Sequence, residues 1–167
     1  HLVSAGDWGH PLSLGSSISA FLFGRDEGFY YRSSGLELAS APDAAGGGFT
    51  WSLFAEQERT AAQRTTFSVA RAVHGSQFEP NIDAQRGVFG GARARITQSV
   101  GEDPQGFRLF NDLRLEAAAG DSGGFGRAAL DVTASHGIGN GAAALTLAAG
   151  TSVGALPMQR NWFLGGS

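Results

Sequence analysis

The sequence FRLFNDLRLEA, at residues 107–117, decides the fold class of this chain. Its large aliphatic residues, Leu109, Leu113 and Leu115, occupy odd-numbered positions. Its charged residues occupy even-numbered positions: Arg108, Asp112, Arg114 and Glu116. Because successive side chains of a strand point to opposite faces, the stretch predicts a β-strand with one apolar face and one charged face.

The segment that follows repeats this period of two residues. One of its faces carries Ala128, Leu130, Val132 and Ala134, and the other carries Arg127, Asp131, Thr133 and Ser135. Two consecutive strands of this polarity are typical of a transmembrane β-barrel, which is apolar outside and polar inside.

Composition restricts the possible functions of the chain. Its 167 residues are 42% hydrophobic, enough for one domain, and the net charge of -3 gives no indication of nucleic-acid binding. The chain has no Cys, and its four His residues, at positions 1, 10, 74 and 136, lack the spacing of metal ligands. We therefore expect neither a metal site nor a cofactor. No run of about eighteen apolar residues occurs, so the pattern predicts no transmembrane helix.

Glycine clusters divide the chain into alternating segments. Gly accounts for 26 residues, and the clusters at 101–106, 120–124 and 137–141 have the composition of turns. We predict an antiparallel meander of about eight long strands, at residues 12–25, 29–39, 49–59, 65–74, 86–100, 105–119, 125–136 and 142–156. Most of these strands exceed the roughly nine to eleven tilted residues that cross a bilayer.

The charged faces of these strands predict a polar wall lining a lumen. Its predicted lumen-facing charges are Glu56, Glu58, Arg93, Arg95, Arg108, Asp112, Arg114, Glu116, Arg127 and Asp131. Neighbouring strands would bring opposite charges across from each other, each exposed pair worth at most about 1 kcal/mol. Glu56 and Glu58 also imitate a catalytic carboxylate pair, although a solvated wall accounts for them more simply. The wet side of any one-faced antiparallel sheet would show the same pattern.

The pentapeptide Gly120-Asp121-Ser122-Gly123-Gly124 is identical to the one around the nucleophile of trypsin-like serine proteases. In those enzymes a His accepts the proton of the Ser hydroxyl and backbone N–H groups bind the oxyanion. The best partners in the required order are His74 with Asp103 or Asp112, and nothing around His74 resembles the protease motif. We therefore predict a hairpin turn and no catalytic residue, with a serine hydrolase using Ser122 as a remote alternative.

The last thirteen residues, ALPMQRNWFLGGS, resemble a stretch of the BamA/TamA-like outer-membrane barrels, the bacterial surface antigen superfamily. In that family a Leu-Pro pair, a polar spacer, two aromatic residues and a Gly-Gly pair lead into the conserved Arg-Gly-Phe/Tyr of a long loop. Pro157, Trp162, Phe163, Gly165 and Gly166 match this lead-in, and the sequence stops just before the tripeptide. The resemblance extends over about residues 85–167.

The resemblance implies that the strands belong to a sixteen-stranded barrel in the bacterial outer membrane. Residues 1–167 would then be a single barrel segment, with residues 1–11 before the strands, 12–156 forming them and 157–167 starting the inward-folding loop. Because the rest of that loop is absent from the sequence, we expect residues 157–167 to leave the sheet as an extended tail.

The implied function is outer-membrane protein insertion or polypeptide export. The implied partners are outer-membrane lipid, client outer-membrane proteins and periplasmic accessory proteins. A passive channel and a surface antigen barrel without an assembly role are alternatives that the sequence leaves open.

Overall fold

A computed structural model describes residues 2–4, 30–41, 48–61, 82–101 and 106–162 of the chain. These residues form seven strands: β1 (Leu2–Ser4), β2 (Tyr30–Ala39), β3 (Gly48–Thr60), β4 (Gly87–Gly101), β5 (Phe107–Gly120), β6 (Gly123–Ile138) and β7 (Gly141–Gly154). A single 3-10 turn, Met158–Arg160, follows β7. In this part of the chain no helix is long and apolar enough to cross a membrane.

The strands lie in one sheet in the order of the sequence, from β1 to β7. The pairing of β1 with β2 is antiparallel, as are the pairings of β4, β5, β6 and β7 in succession. Within the described ranges β1 and β7 are the two ends of this order, so the sheet is open. The all-β, antiparallel fold predicted from the sequence is therefore confirmed.

Six of the predicted strands match β2 to β7, with bounds that differ by no more than two residues. The predicted strands at 12–25 and 65–74 lie outside the described residues. A simple meander would place them between β1 and β2 and between β3 and β4, but these strands are direct neighbours. The eight-strand order is therefore not confirmed. The short strand β1 was not predicted, because three residues are too few to show a period.

Tight turns set the register of the last three strands. Gly120 pairs with Gly123 and Ile138 pairs with Gly141, so each hairpin has a two-residue loop. Gly139, with φ of 59°, is the first residue of the second loop. A type II′ hairpin turn requires a positive φ at this position, which glycine adopts without steric cost. The glycine clusters of the sequence therefore act as predicted, as turns that fix which residues face each other.

One face of the sheet buries carboxylates together with a few aromatic side chains, and the other face exposes aliphatic side chains. Along β3, Ser52, Phe54, Glu56 and Glu58 are buried, and they alternate with the exposed Trp51, Leu53, Ala55 and Gln57. The same arrangement holds on the later strands, where Asp112 and Glu116 are buried and Leu145 and Leu147 are 63% and 64% exposed. The predicted division into one charged and one apolar face is thus present.

Two compact units make up the chain, and each has a small core. Unit 1 comprises His1–Ser34, Glu56–Val88 and Pro157–Ser167, and unit 2 comprises Gly35–Ala55 and Phe89–Leu156. The core of unit 1 contains Tyr31, Ile82 and Ala84, with Val3 packed against them. The core of unit 2 contains Phe54, Phe89, Ala118 and Phe125, with Leu156 packed against them. The rings of Phe89 and Phe125 meet edge to face, with centroids 6.5 Å apart.

Candidate functional site

Two groups of ion-paired charges, here called rows, lie on the polar face of unit 2. The first, the Glu116 row, runs through Glu37, Arg93, Glu116 and Arg127, on strands β2, β4, β5 and β6. Arg93, Glu116 and Arg127 are directly opposite one another in the register of their strands. Because cross-strand neighbours in register share a face, the register of β4, β5 and β6 brings these three charges together.

Glu116 is the centre of its row. Its Oε1 accepts from Arg93 Nε at 3.2 Å, and its Oε2 accepts from Arg127 Nε at 2.6 Å. Its side chain is 4% exposed. The guanidinium carbon of Arg93 also lies 3.7 Å from the centre of the Phe54 ring, a cation–π contact. A carboxylate with so little contact with water needs both arginines to replace its lost hydration.

The second row, the Asp112 row, contains Arg95, Asp112, Arg114 and Asp131. Arg95 Nε and Nη2 donate to the two carboxylate oxygens of Asp112 at 2.8 and 2.9 Å. Arg114 Nε lies 3.8 Å from Asp112 Oδ2, and Arg114 Nη2 is bonded to Asp131. Each row contains two acids and two bases, so the two rows together add no net charge to this face.

A third cluster, here called the Arg160 cluster, lies in unit 1 and joins Glu56 and Glu58 of β3 to residues that follow β7. The segment 157–162, here called the docked segment, contains the 3-10 turn, and its Gln159 and Arg160 are buried. Arg160 Nη2 donates to Glu56 Oε1 at 2.7 Å and also to Glu58 Oε1. Glu58, with no exposed surface, accepts from Gln159 Nε2 at 2.5 Å through its other oxygen.

The extended tail predicted for residues 157–167 is therefore wrong over 157–162. Burial of Arg160 against two carboxylates outweighs the solvation that an extended tail would keep, because both carboxylates would otherwise be buried without this partner. Of the family lead-in residues, Pro157 is buried and Trp162 is partly buried. Phe163, Gly165 and Gly166 lie outside the described residues.

The structure groups nine of the ten predicted lumen-facing charges into the two rows and the Arg160 cluster. The tenth, Arg108, donates to Ser99 Oγ at 3.0 Å. Sequence reasoning missed Glu37 in the Glu116 row of unit 2, and Gln159 and Arg160 in the cluster of unit 1. No local signal in the sequence indicated that Arg160 contacts Glu56 and Glu58, because these lie about a hundred residues earlier.

Ser122 lies in the exposed two-residue turn between β5 and β6. His136 is at the opposite end of β6, where it pairs with Phe107. Asp112 is bonded to Arg95, and the other suggested partners, His74 and Asp103, lie outside the described residues. Among the residues that the structure describes, no group of three or more His, Cys, Asp or Glu side chains could hold a metal ion.

In comparisons with known proteins, no family model, no curated protein and no solved structure matches this chain. The interpretation of the polar and apolar faces therefore depends on the geometry of the sheet and on its sequence.

Proposed function

We propose that this chain forms part of the wall of a bacterial outer-membrane β-barrel of the BamA/TamA-like superfamily, and that it acts in the insertion or export of polypeptides. The inverted polarity of the sheet carries this proposal. Carboxylates such as Glu58 and Glu116 are buried, while leucines such as Leu53 and Leu147 are exposed. In water such an arrangement is unfavourable, because the apolar surface stays hydrated. Against a bilayer the same leucines would face hydrocarbon, as on the outer surface of a barrel.

Strand length supports the same proposal. Strands β3 to β7 have 13 to 16 residues each. A tilted transmembrane strand needs about nine to eleven residues, whereas strands of soluble proteins most often have about five or six. Outer-membrane lipid is then the first proposed partner of the chain, and the outer membrane its proposed location.

The edge of the sheet supports a role in handling polypeptides. Strand β7 is the last strand in the sheet order of the described residues, and all 14 of its residues are exposed. A strand with one unpaired edge presents N–H and C=O groups to which another extended segment can add. Client outer-membrane proteins, or the rest of a larger barrel, are the polypeptides proposed to pair there.

A passive channel is the second candidate, and the charge rows favour it. The Glu116 and Asp112 rows give the polar face charged groups of both signs in equal number. The balance of positive and negative groups on a pore wall sets its ion selectivity. A barrel with this wall would conduct ions with little preference for either sign.

The membrane part of the proposal can be tested with single-cysteine labels, since the chain has no native Cys. A fluorophore placed in turn at positions 145, 146, 147 and 148 of β7 would be quenched by brominated lipids in reconstituted vesicles. We expect strong quenching at 145 and 147 and weak quenching at 146 and 148. Equal quenching at all four positions would contradict a bilayer-spanning strand.

The polypeptide-handling role needs a separate assay. Vesicles that carry the chain should accelerate the folding of a second, small outer-membrane barrel several-fold over protein-free vesicles, measured by its gel-mobility shift. Thr146→Lys, at the edge, should abolish the acceleration, because a lysine on an edge strand opposes further pairing. Thr133→Lys is the matched control, because Thr133 lies opposite Thr146 on β6 with their hydroxyl oxygens 2.9 Å apart. Steady conductance without acceleration would favour the passive channel.

A further inference from the structure

One cluster in unit 1 has the composition of a binding site and is filled by the chain itself. We call it the arginine site and define it by the carboxylates of Glu56 and Glu58, the Ser33 hydroxyl, the Tyr31 ring and the backbone of Gln85. The four side chains of this set are all buried, and Tyr31 and Ser33 are each only 2% exposed. Its present occupants are Gln159 and Arg160 of the docked segment.

The arginine site binds a guanidinium through charge and through an aromatic ring. Arg160 Nη2 donates to Glu56 Oε1 at 2.7 Å and to Glu58 Oε1, and its guanidinium carbon lies 5.4 Å from the centre of the Tyr31 ring. The Ser33 hydroxyl donates to Glu56 Oε2 at 2.5 Å and holds that carboxylate in place. Charge-assisted bonds of this kind are about twice as strong as neutral ones, and the ring adds a cation–π attraction.

The site also binds the carboxamide of Gln159, the residue before Arg160. Gln159 Oε1 accepts from the backbone N–H of Gln85 at 2.9 Å, and Gln159 Nε2 donates to the carbonyl of the same residue at 3.1 Å. A third bond runs from Gln159 Nε2 to Glu58 Oε2 at 2.5 Å. A side chain that both donates to and accepts from one backbone unit copies the way in which an adjacent strand would pair with it.

The charge of the site selects what can fill it. Glu56 and Glu58 contribute two carboxylates, and Arg160 contributes one guanidinium. A neutral or acidic side chain in its place would remove a guanidinium from two buried carboxylates, which is strongly unfavourable. An arginine preceded by a residue with a carboxamide satisfies every group of the site named here.

We infer that the arginine site is a recognition site for an arginine-bearing polypeptide segment, and that residues 159–160 occupy it as an internal copy of such a segment. A segment of another polypeptide with glutamine or asparagine followed by arginine would compete for the site. The docked segment is held by its own tether, which gives it an effective concentration in the millimolar range. A competing segment therefore has to be present at similar local concentration, as one held within a barrel lumen would be.

The biological use of this site rests on the proposed polypeptide handling, whereas the binding itself does not require a membrane role. Loss of the lipid-quenching pattern would remove the barrel proposal and leave the binding measurement unaffected. Failure of the binding measurement would remove the recognition site and leave the barrel proposal standing.

The first test uses the 167-residue chain with the site vacated by Gln159→Ala and Arg160→Ala. A labelled peptide with the sequence of residues 156–162 should bind this variant saturably, measured by fluorescence anisotropy. Binding should be at least tenfold weaker when alanine replaces the peptide's arginine, and at least tenfold weaker to the wild-type chain. Adding Glu56→Gln and Glu58→Gln to the vacated variant should abolish its binding of the peptide. Adding Gln57→Ala, at an exposed position between them, should leave binding unchanged.

A second measurement covers the case in which the vacated variant does not fold. A chain with Trp8→Phe and Trp51→Phe keeps Trp162 as its single tryptophan, next to the docked arginine. A peptide without tryptophan, Leu-Pro-Met-Gln-Arg-Asn-Phe, should displace the segment at millimolar concentration and shift the Trp162 emission to the red. The alanine version should cause no shift. If the arginine peptide neither binds the vacated variant nor shifts the Trp162 emission, the recognition site is refuted.

Discussion

The carboxylate of Glu58, fully buried on β3, is bonded to Arg160, which lies 102 residues further along the chain. Glu56 shares the same guanidinium at 2.7 Å. A buried ion pair contributes little beyond what a well-packed apolar pair would give, but removal of one partner leaves a charge buried without compensation. The docked segment is therefore a place where single substitutions have large effects.

Arg160→Met should lower the free energy of unfolding by about 3 to 5 kcal/mol, because Glu56 and Glu58 both lose the guanidinium of Arg160. Denaturant titration of the reconstituted chain measures the change. Arg59→Met, on the same strand as Glu58 but at an exposed position, is the control and should change stability by less than about 0.5 kcal/mol. Combining Arg160→Met with Glu56→Gln and Glu58→Gln should recover much of the loss. Equal stability of Arg160→Met and wild type would contradict the ion cluster.

The two charge rows should differ in how strongly their members couple. Glu116 and Arg127 are 4% and 15% exposed, whereas Arg95 is 56% exposed. Water screens exposed pairs, so a double-mutant cycle on Arg95 and Asp112 should give about 1 kcal/mol or less. The cycle on Glu116 and Arg127, with Gln and Met as replacements, should give a larger coupling, up to about 3 kcal/mol. A larger coupling energy for Arg95 with Asp112 than for Glu116 with Arg127 would contradict this prediction.

The proposed lipid face predicts a contrast between two arginine substitutions on β6. Leu130→Arg should hinder folding into lipid vesicles at a cost of about 2 to 4 kcal/mol if the residue sits near the midplane. Thr133→Arg, on the opposite face, should cost much less. Folding yields in vesicles of fixed composition compare the two variants directly. Similar losses for both would show that the Leu130 face does not meet hydrocarbon.

The turn between β6 and β7 allows the effect of backbone conformation on stability to be measured without an effect of side-chain packing. Gly139 has φ of 59°, and an added Cβ would meet no heavy atom within 4 Å. Gly139→Ala should therefore destabilise the hairpin only through its backbone, by about 1 to 2 kcal/mol. Gly139→Asn should cost less, because asparagine is one of the residues that occupy the positive-φ positions of type I′ and II′ turns. Gly141→Ala, where φ is not positive and the nearest atom is 3.7 Å away, should be nearly neutral.

Local patterns in the sequence predicted six strands and the division of their faces. The alternation around Leu113 and Leu130 is a property of neighbouring residues, and the glycine turns fix which strands meet. For that reason the position of Glu116 opposite Arg127 follows from strand period and turn position. The prediction that opposite charges face each other across strands holds for Glu116 with Arg127 and with Arg93. It is wrong for the Asp112 row, where Arg95 lies opposite Arg114 and Asp112 lies opposite Asp131, so that the ion pairs are diagonal.

Contacts between distant parts of the chain could not be predicted in this way. Nothing near Arg160 indicates that it returns to Glu56 and Glu58, because the contact depends on where the sheet ends and on two carboxylates about a hundred residues earlier. The salt bridge of Glu37 to Arg93, at 3.6 Å, likewise spans two strands that are not neighbours in sequence. The short strand β1 gave no periodic signal at all.

Because Arg160 lies 102 residues after Glu58, the contact between these residues forms late during synthesis of the chain. The hairpins β5–β6 and β6–β7 close through two-residue loops, which form in microseconds once their residues are available. The docked segment closes a loop of about a hundred residues and follows β7 in the chain, so Glu56 and Glu58 are made long before their cation exists. During that interval neither carboxylate has Arg160 as its partner. Under the inference drawn above, a segment of another polypeptide with glutamine or asparagine followed by arginine would meet the site before residues 159–160 do.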